Sequence, residues 1–211
     1  MIQFNDDNVN KFISDLTEKC KHYGVELYIG SKKRVNCGGT YSSGYFDGIN
    51  KKIAIAGGMD DRNFLSILVH EASHFDQWIL NNKAWKDYNK LSNKYNFIDI
   101  IKGLTPVDSY HYCKTVAKLE WDCEKKSIQT IKKYNLPLDI KEYSQKANAY
   151  VYFWLLLSEL KVWHTDSKGS KAPYGNKNIL KLCPTKFEPS FNKIVLSDKL
   201  INEFKKVYNI K

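Results

Sequence analysis

His70, Glu71 and His74 fall within residues 67–75, ILVHEASHF, where two of the chain's five histidines stand four apart with a glutamate directly after the first. On a helix, residues four apart lie one above the other on the same face. The two imidazoles can therefore aim at one point, and neutral imidazole nitrogen binds zinc at about 2.0–2.1 Å. Glu71 is one step round from His70, so it flanks such a metal without having to bind it. That sets a carboxylate beside a zinc-bound water, where it can take the proton. Leu68, Val69 and Phe75 around the motif are apolar, and polar groups among them need partners. A pair of satisfied core histidines with an exposed Glu71 is the competing reading of the same residues.

Two histidines do not hold a catalytic zinc; three protein ligands and an open position do. A third histidine six residues after His74 is excluded, because Leu80 stands there. Glu120, in the string LEWDCE of residues 119–124, is the expected third ligand. In a helix over 105–134, Glu120 and Glu124 share a face with Val116, Cys123 and Ser127. Carboxylates within an apolar face are costly unless paired or metal-bound. Glu124, one turn on, is then placed to hydrogen-bond a ligand histidine. The reverse assignment of the two glutamates stays open, as does a solvated acidic patch. Donors for the oxyanion of a tetrahedral intermediate come from Tyr110, His111, Tyr112, Tyr150 and His164. Tyrosine is abundant here, so packing competes with catalysis at each tyrosine.

These residues need elements to carry them. Val9, Phe12, Ile13 and Leu16 recur at helical spacing over 8–23, and Gly24 stops that helix. Short β-type pieces follow at 25–29, 34–37, 44–47 and 52–56, separated by glycine and serine turns. Asp60 or Asp61 caps the next helix, whose periodic face runs to about Leu80 and includes the histidines. Thr105-Pro106 reads as a helix start and Asn135 with Pro137 as its end. A third long helix is predicted from Asp139 to Trp163, and a short one after Ser197. Residues 168–189 are punctuated and aperiodic. The expectation is one α+β domain over 1–211: a small antiparallel or mixed sheet early, then the histidine helix, then further long helices.

The 211 residues suffice for one sizeable core. Lysine and arginine exceed aspartate and glutamate by 33 − 23 = 10. The lysines are scattered in pairs, which favours a solvated surface over a nucleic-acid groove. Five separated cysteines without a CxxC pair suit free thiols in a reducing compartment. The start of the chain is polar and acidic, unlike a signal peptide. The apolar run at 150–157 is about half the length of a membrane span, so the expectation is a cytoplasmic protein with no membrane partner.

An HExxH helix followed by a downstream helix bearing Glu-x-x-small-acidic resembles the gluzincin branch of the zinc metallopeptidases. His70, His74 and Glu120 match its ligand positions and Glu71 its base. Cys123-Glu124 stands where that branch usually has alanine and aspartate. The strings SGYFD at 43–47, IAIA at 53–56, LVHE at 68–71 and LEWDCEKK at 119–126 are similar to phage-encoded proteins of zincin type. The resemblance implies a zincin-like fold, one Zn2+ per chain and hydrolysis of a peptide or protein substrate in a host cytoplasm. It also implies that an extended peptide pairs with an edge strand before the HExxH helix, expected at 52–56. Two other readings accompany it: a zincin-like metal-binding protein without activity, and a protease acting on DNA-associated proteins.

Overall fold

The computed structural model describes residues 5–92, 95–164 and 172–208. It is mixed α and β, with the strands early and long helices after them. No helix among the described residues is long and apolar enough to cross a membrane. The chain packs as two compact units. The first runs to Leu80 and adds Lys126–Ile140; the second takes Asn81–Lys125 and the chain from Lys141 onward. Neither unit is one continuous stretch, so no linker-like composition marks the division.

In the first unit, α1 (Asp7–Tyr23) starts where the Asp6 carboxylate accepts from the amides of Asn8 and Val9, and ends on Gly24 at φ 65°. It buries Val9, Phe12, Ile13 and Leu16, the four residues its periodicity marked. The strands are β1 (Glu26–Gly30), β2 (Val35–Cys37), β3 (Thr40–Ser42), β4 (Gly44–Asp47) and β5 (Lys52–Ala56). β2 and β3 form an antiparallel hairpin, which the sequence reading had treated partly as turn. The other three make a mixed sheet in the order β1-β5-β4, β1 parallel and β4 antiparallel to β5.

β5 is therefore the central strand and not the expected edge. Its four residues from Ile53 to Ala56 are all buried, the burial of a strand covered on both faces. Ala54 and Ala56 pack with Val35 of the hairpin. Gly44, in β4, brings that strand onto the next helix, α2 (Asp61–Leu80): a Cβ at Gly44 would stand 2.5 Å from Cγ2 of Ile67 and 3.0 Å from Cδ1 of Ile55. Gly44→Ala should therefore cost about 1–3 kcal/mol through overpacking, read as a lower midpoint in chemical denaturation. An unchanged midpoint would show that Ile67 moves aside freely.

The first unit is closed by the C-terminal part of a long helix, α5 (Ser109–Tyr134), which runs unbroken through the division at Lys125. Tyr134 donates to Asp15 at 2.9 Å and its ring lies 5.3 Å from that of Phe12. Asn135, at φ 49°, ends the helix where the sequence placed the stop. The start lies four residues later than Thr105, because Asp108 caps it by accepting from the amide of Tyr110 at 3.0 Å.

The second unit holds α3 (Lys83–Ser92), α4 (Phe97–Ile101), the first part of α5, α6 (Ile140–Leu160), α7 (Lys177–Leu182) and α8 (Asp198–Val207). The sequence reading missed α3 and α4, which are short: α3 is an amphipathic helix of 10 residues and α4 has 5. Its core gathers Tyr112, Cys113, Val116 and Ala117 of α5, Phe153 and Leu157 of α6, and Phe204 of α8. Buried Asn148 ties down the aperiodic stretch beyond α7. Its Nδ2 donates to the carbonyls of Pro184 and Lys186, and its Oδ1 accepts from the amide of Glu188. The expected aperiodic segment at 168–189 lies partly outside the described residues.

Candidate metal centre

α2 exists as a helix because Asp60 accepts from the amide of Asn63 at 3.0 Å while Phe64, Leu65, Leu68 and Phe75 supply its buried stripe. His70 and His74 fall one turn apart, their rings 4.7 Å apart and nearly perpendicular. Glu71 is 7 % and His74 9 % exposed, so the motif is not a surface feature and Glu71 is not the exposed residue of the competing reading. His74 Nδ1 lies 2.8 Å from Oε1 of the fully buried Gln77. An amide oxygen only accepts, so in this pairing Nδ1 is the donor.

Gln77 is a functional candidate that sequence reasoning passed over. Its spacing of three from His74 on the same helix was the available signal. Gln77→Ala should weaken metal binding by about 10–100-fold, the usual cost of losing a group that orients a ligand histidine. Competition with a chelator of known affinity reads this directly, and equal affinities would assign Gln77 to packing.

Glu71 shares its surroundings with the end of β2. Burial pushes the Cys37 thiol above its ordinary range, and the carboxylates of Asp47 and Glu71 push it the same way. Cys37 therefore rests as a thiol beside the glutamate at ordinary pH.

α5 carries the other residues of the expected constellation, Glu120 and Glu124. Ser127 donates to Ser73 Oγ at 2.9 Å, and Ser73 in turn donates to the Val69 carbonyl at 2.9 Å. This chain of hydroxyls lies within the first unit and sets the register of α5 on α2 beside the histidines. Along α5, Val116, Glu120, Cys123, Glu124 and Ser127 are all buried, as the expected shared face requires. Among the described residues, one group of three metal-capable side chains gathers its ligand atoms. His70, His74 and Cys123 each present a ligand atom, and these atoms lie within 4.8 Å of one another. Ligands of a tetrahedral zinc at bond lengths of 2.0–2.3 Å are about 3.5 Å apart. Two imidazoles and a thiol also suit zinc by donor type. Glu120 lies one turn before Cys123 on the same face.

The other expected site residues belong to the second unit. Glu124 is buried and accepts a hydrogen bond from the Tyr143 hydroxyl at 2.7 Å. Tyr110 and His111 are exposed at the first turn of α5. Tyr112 is built into the core, where burial pushes its phenol well up, so it serves packing. The Tyr150 ring meets those of Trp154 and Tyr174, and His164 lies 4.4 Å from Trp163. These contacts make aromatic packing the visible role of Tyr150 and His164.

The chain matches no family model, no curated protein and no solved structure.

Proposed function

We propose that this chain is a zincin-like, zinc-dependent peptidase in which His70 and His74 hold the metal, α5 supplies a third donor and Glu71 is the catalytic base. The observation that carries the reading is the set of His70, His74 and Cys123 ligand atoms within 4.8 Å, with buried Glu71 next in sequence to the first of them. Cys123 or Glu120 completes the set. A bound divalent metal would polarise a substrate carbonyl and make an attacking water more acidic. Glu71 accepts the proton of that water and passes it to the leaving amine. Gln77 pairs with Nδ1 of His74 and so orients the ring of a ligand histidine.

The edge for an extended peptide moves with the sheet order. β5 has neighbours on both sides, so pairing falls to β4, the antiparallel edge that Gly44 sets close on α2. Cleavage of an unfolded protein by the metal-loaded chain, with its loss in Glu71→Gln, is the deciding experiment. A metal-binding protein without activity is the rival, and a buried carboxylate directly beside a ligand histidine weighs against it.

A further inference from the structure

The chain carries ten more basic than acidic side chains, and in the second unit part of that excess is organised. Lys83, Lys86 and Lys90 on α3 stand at i, i+3 and i+7, one stripe of that helix. Lys114, Lys118 and Lys125 on α5 stand at i, i+4 and i+11, again one stripe. Asn82, just before α3, donates to Asp122 of α5 at 2.7 Å. The hydrogen bond from Lys83 holds the Asp87 carboxyl below its usual range, and the charges of Lys90 and Lys118 act in the same direction. Asn82 thus ties the start of α3 to α5, and the lysine stripes of these two helices make up a basic face of this unit. Five of these six lysines are exposed and Lys118 is half-buried.

The acids on this face are already engaged. Asp87 takes Lys83 at 2.8 Å and Asp122 takes Asn82. Lys114 lies over the Tyr110 ring at 5.6 Å and Lys125 over the Trp121 ring at 5.2 Å. Those rings order the lysine stems in advance, which lowers the entropy lost on contact. Lysines one turn apart are about 6 Å apart along the axis. Alternate phosphates of one DNA strand are roughly 7 Å apart by the same measure.

We propose that the α3–α5 lysine face docks the phosphate backbone of double-stranded DNA without reading its sequence. The face has no arginine, the residue that pairs bidentately with guanine: the chain's two, Arg34 and Arg62, lie in the first unit. Trp121 is stacked on Phe187 and lies under Lys125, which leaves Tyr110 as the open ring of the face, too little for a run of stacked unpaired bases. The proposal is independent of the peptidase reading.

The test is fluorescence anisotropy of the full chain with a labelled DNA duplex of about 20 base pairs, across a salt series. About four phosphate contacts predict a slope of log K against log salt near −3.6, and roughly a 100-fold loss of affinity between 50 and 200 mM salt. The combined variant Lys86→Gln, Lys90→Gln, Lys114→Gln and Lys118→Gln should flatten the slope and lose at least about tenfold at 50 mM salt. A control with the same charge removed elsewhere, at Lys11, Lys32, Lys33 and Lys199, should stay within about threefold of the parent. Three results would overturn the proposal. They are no duplex binding at 50 mM salt, equal losses in the two variants, or a face variant that loses only binding to phosphatidylserine vesicles.

Discussion

Glu71→Gln should keep the metal and lose hydrolysis. The two side chains have the same shape, so a site that is 7 % exposed has no cavity to fill and no atom to lose. What changes is charge and basicity. A glutamine amide cannot accept a proton at neutral pH, and positioned general bases contribute about 10²–10⁴-fold to rate. The expected outcome is a fall of that size in cleavage of an unfolded protein, with metal content equal to that of the parent. His74→Ala, measured beside it, should lose both metal and activity, because it removes a donor rather than a base. The pairing separates two failures. A glutamine variant that cleaves as fast as the parent would refute the role of Glu71 alone. A parent that binds metal and cleaves nothing would leave the inactive metal-binding protein as the answer.

The parts of this molecule that were legible in the sequence are those where local and tertiary demands agree. α1 could be read because its capping aspartate, its apolar stripe and its terminal glycine all point to the same helix. The HExxH helix was legible for the same reason, since Asp60 caps it and the apolar residues recur at helical spacing up to Leu80. The burial of Val116, Cys123 and Ser127 along α5 followed from periodicity alone.

Some of the misses trace to partners distant in the chain. Nothing local in KIAIA tells a central strand from an edge. That is decided by β1, some twenty-six residues earlier, pairing in parallel with it. α3 and α4 are short, and short helices draw their stability from tertiary contact rather than from propensity. The start of α5 slipped by four residues because Asp108 outcompeted Thr105 as a cap, a choice between two plausible signals. The division into two units was invisible for a further reason. It passes through the middle of α5, where helix formers continue without interruption.

The proposed metal site leaves two candidates for its third donor. The resemblance points to Glu120, whereas the donor group includes the Sγ of Cys123, which is fully buried. Metal binding to a thiol displaces its proton, so binding through Cys123 would strengthen as pH rises, and the metal would then hold the buried sulfur as a thiolate. A carboxylate at position 120 would enter as an anion without that exchange. Cys123→Ala should therefore reduce bound metal from about one to below about a tenth per chain, as expected when one of three ligands is lost. Glu120→Ala should retain it. Loading the parent with cobalt in place of zinc gives an independent readout, because a thiolate ligand adds a charge-transfer absorption that imidazole and carboxylate do not. That absorption should be present in the parent and Glu120→Ala chains. If metal survives in Cys123→Ala and is lost in Glu120→Ala, and the parent lacks the thiolate absorption, then Glu120 is the ligand and Cys123 belongs to the core.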